Sequence, residues 1–155
     1  MFKKAIVTGS EGFIGGHLTD RLLEMGIEVV GIDDMSSGLH ETYRQHLKSK
    51  NYIGKQISIT DPKVQDIFRN FRPDVVFHLA AKSGVSPSVL NPTFSDFTNI
   101  NGSVNLLEAS REFGVKRFIF SSSSSVYGGV SEFPTDELAQ TNPKSPYALQ
   151  KFLGL

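Results

Sequence analysis

The sequence contains no cysteine and no tryptophan, and its sixteen basic residues are balanced by sixteen acidic ones. Without cysteine there are no disulfides, no thiol nucleophile and no thiolate metal site, which fits a reducing compartment. With zero net charge, no long-range field draws the chain onto nucleic acid or an anionic membrane surface. No apolar run approaches the roughly 18 residues of a membrane span, and Met1-Phe2-Lys3-Lys4 leads straight into a strand-like segment instead of a signal-peptide core. A cytoplasmic location follows as the expectation. The four histidines are scattered without ligand spacing, so no metal is expected. There are no internal repeats, and the one low-complexity patch is the serine run at 121–125.

The 155 residues are 39% apolar and 21% charged, in the range of a soluble globular domain. A domain of this size buries roughly 70% of the surface its unfolded chain exposes. Apolar runs of strand length alternate about five times with segments of helical period, the pattern of βαβ units around a parallel sheet. Strands are expected at Lys4–Thr8, Glu28–Ile32, within 52–59, at 74–80 and at 117–121. Helices are expected at 13–25, 41–48, from the Asp61-Pro62 pair to Asn70, and as one long element from Asn91-Pro92 to Gly114. A loop should join the fourth strand to that long helix. Another should span 121–146, with a last helix beginning near Tyr147. Right-handed crossovers give an α/β doubly wound sheet of Rossmann type, in the order 3-2-1-4-5.

Gly9, Gly12 and Gly15 stand in a Gly-x-x-Gly-x-x-Gly spacing between the first strand and the first helix. There Gly9 permits a tight turn, Gly12 lets backbone approach a pyrophosphate, and Gly15 lets helix and strand pack closely. The phosphates would rest on the free N–H groups at the helix N-terminus. Asp33, with Asp34 beside it, ends the second strand eighteen residues after Gly15. A carboxylate there accepts from both ribose hydroxyls and repels a 2′-phosphate, which favours NAD over NADP. Either aspartate could be the one that does so.

Tyr147 and Lys151 lie four residues apart, on one face of a helix. An ammonium beside the phenol favours the phenolate and makes the tyrosine a usable acid/base near neutrality. The run of serines from Ser121 leaves the fifth strand at the carboxyl edge of the sheet, where open α/β folds bind ligands. His78, between Phe77 and Leu79, reads as a buried core histidine. Phe94, Phe97 and Phe113 read as packing or oligomer contacts.

These stretches together resemble the extended short-chain dehydrogenases/reductases, specifically the nucleotide-sugar epimerase and dehydratase group. The resemblance rests on Thr8-Gly-Ser-Glu-Gly-Phe-Ile-Gly15, the Asp33 region, His78-Leu-Ala-Ala81, Asn99-Ile-Asn-Gly-Ser-Val-Asn105, Phe118-Ile-Phe-Ser-Ser-Ser to Val-Tyr-Gly128, and Ser145-Pro-Tyr147 with Lys151. It covers essentially the whole chain. It implies NAD as cofactor, held by Gly9, Gly12, Phe13, Ile14, Gly15, Asp33, Asp34, Ser37, Ser58, Ile59, Leu79, Ala80, Ala81, Asn99, Tyr147 and Lys151. It implies Ser123, Tyr147 and Lys151 as catalytic residues. Dehydratases carry Asp-Glu where this chain has Ser124-Ser125, so the resemblance points to reversible oxidation at sugar carbon 4, a 4-epimerase. Where the family has Asp-Ile against the adenine, this chain has Ser58-Ile59, and a family lysine near Ser83 is here Lys82.

A related dehydrogenase, reductase or decarboxylase, or a non-catalytic NAD(H) sensor, are the other readings. In the family the long helix and the Tyr-Lys helix build a dimer interface, which would make this chain a homodimer. Family members run to roughly twice this length, so the sequence reads as one NAD-binding domain over 1–155, cut within the Tyr-Lys helix. It would lack the substrate domain and be inactive alone on nucleotide sugars.

Overall fold

The computed structural model describes residues 2–129 and 134–154. Five parallel strands, β1 (Lys4–Thr8), β2 (Glu28–Ile32), β3 (Tyr52–Lys55), β4 (Val75–His78) and β5 (Arg117–Phe120), form one sheet ordered β3-β2-β1-β4-β5. Helices α1 (Phe13–Glu24), α2 (His40–His46), α3 (Val64–Phe71), α4 (Val85–Leu90), α5 (Pro92–Asp96), α6 (Gly102–Glu112) and α7 (Pro146–Phe152) follow the chain order between and after the strands.

The strands are apolar on both faces because helices cover both. Along β1, Ala5 and Val7 point into a cluster with Leu22, Ile27, Val29 and Tyr52, while Ile6 points the other way into Val30, Val64, Phe68, Val76 and Leu106. Strand order reverses beside β1, which pairs with β2 on one side and β4 on the other. The registers Thr8 with Ile32 and Thr8 with His78 bring the ends of those three strands level. This is the switch point at which doubly wound sheets open a crevice.

Four segments depart from the sequence expectation. The loop expected after β4 contains α4, started by Gly84 at φ +109° and stopped at Asn91, which caps α5 by accepting from the Phe94 N–H. The long helix is three pieces. Between α5 and α6 lies a π-helical turn, Phe97–Asn101, and adjacent residues Thr98 and Asn99 both turn inward there. Such one-turn insertions shift the helical register and concentrate at working sites. The serine run enters a 3-10 turn, Ser124–Tyr127, capped by the Ser123 hydroxyl accepting from Ser125 N–H. Asp61 is not the N-cap of α3. It accepts from Lys63 N–H at 2.8 Å in a preceding turn, which delays the helix to Val64.

Candidate functional site

A cleft of about 390 Å³ opens at the carboxyl edge of β1, β2 and β4. The glycine loop forms its floor. Gly9, at φ +70°, donates to Ile32 carbonyl at 2.8 Å, and a Cβ on it would lie 2.8 Å from Ala80 N. Its bareness therefore sets how closely β1 and β4 bring their loops together. A Cβ on Gly15 would sit 1.9 Å from Gly9 carbonyl oxygen, so α1 can start where it does only with glycine. Gly12 differs: its Cβ would meet Gly9 oxygen at 3.4 Å, an ordinary contact, so the protein itself leaves space there. Gly12 is also the N-cap of α1, and no side chain accepts from the helix's first turn. Free N–H groups at a helix start facing an open, side-chain-free floor fit a phosphate-bearing ligand.

Asp33 stands at the β2 end of the cleft. Its carboxylate accepts from Glu11 N–H at 3.0 Å and Met35 N–H at 2.8 Å. Burial pushes its pKa above the ordinary carboxylate value against the pull of those two donors. Asp34 is paired instead with Lys82, whose Nζ lies 2.8 Å from Asp34 Oδ2 and also donates to the Ser36 hydroxyl. Partial burial raises the Asp34 pKa, but the Lys82 ammonium and the Ser36 donors outweigh it and hold the carboxyl below its usual range. The two aspartates left open by the sequence are thus separated. Asp33 is fixed by backbone, and Asp34 is neutralised by a lysine reaching from the loop after β4.

Ser58 and Ile59 line the cleft beyond β3, Phe13, Ile14 and Ser37 its glycine-loop and β2 sides, and Leu79, Ala80 and Ala81 its β4 side. Tyr147 and Lys151 complete the wall from α7. That helix is placed by its own sequence: Ser145 caps it by accepting from Ala148 N–H, Pro146 occupies the first turn, and Tyr147 N–H donates to Ser88 hydroxyl at 3.0 Å. Lys151 is 4% exposed. Its Nζ donates to Ser121 carbonyl at 2.9 Å and lies 4.9 Å from the Phe120 ring centre. Burial lowers its pKa to about 8.

Two expected site residues do not line the cleft. The Ser123 hydroxyl is occupied in the 3-10 turn, accepting from Ser125 hydroxyl at 2.9 Å, while its neighbours Ser121 and Ser122 reach the wall. Asn99 lies one layer behind. Its Oδ1 accepts from Lys82 N–H, and its Nδ2 donates to Lys82 carbonyl and to Gln150 Oε1. Thr98 and Lys82, by contrast, line the cleft without having been assigned a role. The signal for Lys82 was its position directly after His78-Leu-Ala-Ala81 at a strand's carboxyl edge.

His78 sits at the end of β4, fully buried, between Thr8 Oγ1 and Ser103 Oγ at 2.8 Å each. Ser103 gives its proton to Asn99 carbonyl, so it accepts from His78 Nε2–H, and Nδ1 accepts from Thr8. Burial, reinforced by the Lys151 charge, pushes its pKa down to about 3. It is neutral packing, not a proton shuttle.

Comparison with known proteins gives the same frame. The family described as GDP-mannose 4,6 dehydratase matches residues 6–154. UDP-glucose 4-epimerase of Mycolicibacterium smegmatis is 42% identical over 152 residues, 97% of this chain and 49% of its own length. Among solved structures, the UDP-glucose 4-epimerase of Thermotoga maritima with UDP-glucose superposes with a TM-score of 0.89 at 42% identity, covering 97% of this chain and 48% of that one. The UDP-glucose 4-epimerase of Thermus thermophilus in complex with NAD gives 0.87 at 37%, covering 96% and 47%. The chain spans about half the length of the curated relatives it matches. No helix among the described residues is long and apolar enough to cross a membrane. A match of this extent, on a sheet and a glycine loop of this geometry, makes the chain a member of the GDP-mannose 4,6 dehydratase family, within the extended short-chain dehydrogenases/reductases of the epimerase/dehydratase group.

Proposed function

We propose that this chain is the NAD-binding, acid/base-bearing part of a nucleotide-sugar 4-epimerase. The observation that carries the reading is the convergence on one cleft of the glycine floor, Asp33 and the Tyr147/Lys151 pair. The bare Gly12 position and the unoccupied N–H groups of α1 suit a pyrophosphate, Asp33 suits ribose hydroxyls, and Leu79 to Ala81 offer a flat apolar wall to the nicotinamide half. Bound NAD supplies a hydride acceptor and donor. Tyr147 takes the proton of the reacting sugar hydroxyl and returns it, and Lys151, its Nζ anchored by the Ser121 carbonyl, would hold the adjoining ribose. The Ser123 hydroxyl, which accepts from Ser125 and keeps its own proton to donate, supplies a donor to the reacting oxygen from behind the wall formed by Ser121 and Ser122.

The 4-epimerase reading is favoured over dehydration by side-chain chemistry. Eliminating water needs an acid next to Ser123, and this chain has Ser124 and Ser125 there. The cleft carboxylates, Asp33 and Asp34, both come from the end of β2 and the loop after it. Because the chain spans about half its relatives' length, it turns over nucleotide sugars little or not at all by itself. The exposed apolar side chains of Phe94, Phe97, Leu107 and Leu149, on α5, the π turn, α6 and α7, suit a homodimer face.

Calorimetric titration with NAD and NADP side by side tests the reading. Binding of NAD with at least tenfold preference is expected, since a 2′-phosphate would face the half-buried Asp33 carboxylate. Equal binding of both, or preference for NADP, would overturn the role given to Asp33, and binding of neither would overturn the cofactor reading.

A further inference from the structure

Beneath the glycine loop lies a buried ionic cluster that the cofactor reading leaves unused. Glu11, between Gly9 and Gly12, turns its carboxylate away from the cleft into the protein, where it is 1% exposed. Oε1 accepts from Ser10 hydroxyl at 2.9 Å and Tyr52 hydroxyl at 2.5 Å. His46, the last residue of α2 and equally buried, holds Nδ1 3.2 Å from Glu11 Oε2 and Nε2 3.2 Å from Asp20 Oδ1 on α1. The groups facing the imidazole are therefore Glu11 from the loop, Asp20 from α1 and Tyr52 from β3, its ring centre 5.0 Å away. Tyr43 stands close to Tyr52, and Asp33 close to Glu11. Gly31 makes the room, since a Cβ there would lie 2.0 Å from the Tyr52 hydroxyl oxygen.

A carboxylate this deep needs a cation, and among the described ion pairs the partner of Glu11 is His46 alone. The backbone of the same residue reaches the cofactor side: Glu11 N–H donates to Asp33, and its carbonyl accepts from Leu39 N–H. One residue thus joins the phosphate floor, the ribose carboxylate and the α2 entry to a charge pair behind them.

We propose that Glu11 is a positioning residue for the cofactor cradle with His46 as its counter-ion, so that NAD affinity follows the protonation of His46. The proposal rests on the NAD reading above. With His46 protonated, the pair is neutral and the loop is held. With His46 neutral, an unpaired carboxylate stands under the bound pyrophosphate, repelling it and loosening the loop that carries Gly12. Burial disfavours the imidazolium, but Glu11 and Asp20 outweigh it and raise the His46 pKa above 6.5. Affinity is therefore full below that range and falls as pH rises through the raised value.

The test is NAD titration of this chain from pH 5.5 to 9, with the His46 imidazole followed by NMR in the free and saturated protein. Affinity is expected to fall about tenfold across the His46 transition, and by reciprocity saturation with NAD moves that transition upward by about one pH unit. His46→Gln should lose the step and bind weakly throughout, and adding Glu11→Gln, which keeps the shape without the charge, should restore affinity. Lys151, whose pKa burial lowers to about 8, lines the same cleft, so the His46 contribution is read as the difference between the wild-type and His46→Gln profiles. An unchanged pH profile in His46→Gln, or a His46 titration that NAD does not move, overturns the proposal. The second readout uses wild-type chain only, so it decides even where a variant fails to fold. Coinciding wild-type and His46→Gln profiles with NAD still bound leave the cofactor reading standing and remove this inference, whereas no NAD binding at any pH removes both.

Discussion

The amide of Asn99 donates to Gln150 Oε1 at 2.8 Å, and that bond ties the helix bearing Tyr147 and Lys151 to the wall formed by the loop after β4. The rest of the Asn99 side chain clasps the Lys82 backbone in both directions, and Gln150 in turn donates to Ser95 hydroxyl. All of these groups are buried or half-buried, so each bond lost leaves a partner without water to replace it.

Asn99→Ala should therefore destabilise the chain by about 2 kcal/mol, lowering the thermal midpoint by about 4–8 °C. Scanning calorimetry measures it. An unchanged midpoint would mean that the clamp does not hold α7, and the placement of Tyr147 would need another cause.

Gly12 and Gly15 should separate binding from folding. An added methyl at Gly15 meets backbone at 1.9 Å, and Gly15→Ala is expected to lose several kcal/mol of stability, about 3 or more, because neither strand nor helix can yield. At Gly12 the methyl meets the protein only at 3.4 Å. Gly12→Ala should keep the thermal midpoint within a degree or two and weaken NAD at least tenfold by occupying the phosphate floor. Equal losses of stability in the two variants would refute the division.

His78 should govern acid sensitivity. Its folded pKa, about 3, lies below the unfolded value of about 6.5, so the unfolded chain binds the extra proton between these limits. Its contribution is complete above pH 6.5 and falls by about 1.4 kcal/mol for each pH unit on acidification toward 3. His46 has the opposite sign, its raised value giving stability below 6.5 that is lost as pH rises. Urea denaturation of wild type and His78→Gln between pH 4 and 7 checks the first statement. The variant should show the shallower slope by about that amount, and parallel curves would exclude His78 as the source.

Lys151 should act at the alkaline end. Its pKa is lowered by burial to about 8 from an ordinary 10.5, so folding becomes more favourable as pH rises from 8 to 10.5, by up to about 3 kcal/mol. Lys151→Met should remove that rise while leaving the far-ultraviolet dichroism intact. Denaturant midpoints of both chains at pH 7.5 and 10 measure it, and an equal rise in the variant would assign the effect to other groups.

The elements that were legible in the sequence are those whose pattern is local. β1 and β2 fall on the residues expected, because strands covered on both faces are simple apolar runs. The glycine loop was legible because spacing alone fixes three backbone positions, and Tyr147 with Lys151 because a helix repeats every 3.6 residues. What was not legible depends on partners far along the chain. The π turn is invisible to a periodicity count, as one extra residue changes the phase without changing composition. α4 was hidden because Pro87 and two serines give its six residues no helical signature. Glu11, an acidic residue inside the glycine loop, gives no local sign of burial. It is buried only because His46, thirty-five residues on, and Tyr52, forty-one residues on, arrive beneath it.

The apolar side chains left exposed on α5, the π turn, α6 and α7 should drive self-association. Phe94 is 59% and Phe97 58% exposed, and Leu107 and Leu149 lie about half exposed on α6 and α7, whereas Phe113 on the same stretch is buried in the core with Phe68 and Leu106. The sequence grouped the three phenylalanines together; the structure separates one packing residue from two that face outward. Two aromatic rings left in water carry a cost that self-association removes, at about 25 cal/mol for each Å² covered. Sedimentation velocity at tens of micromolar is expected to show a dimer, and Phe97→Glu, which places a charge on the face without touching the core, should shift it to monomer with NAD affinity unchanged. A monomeric wild type would assign these rings to contacts with another polypeptide segment, and a Phe97→Glu dimer would place the interface elsewhere on the surface.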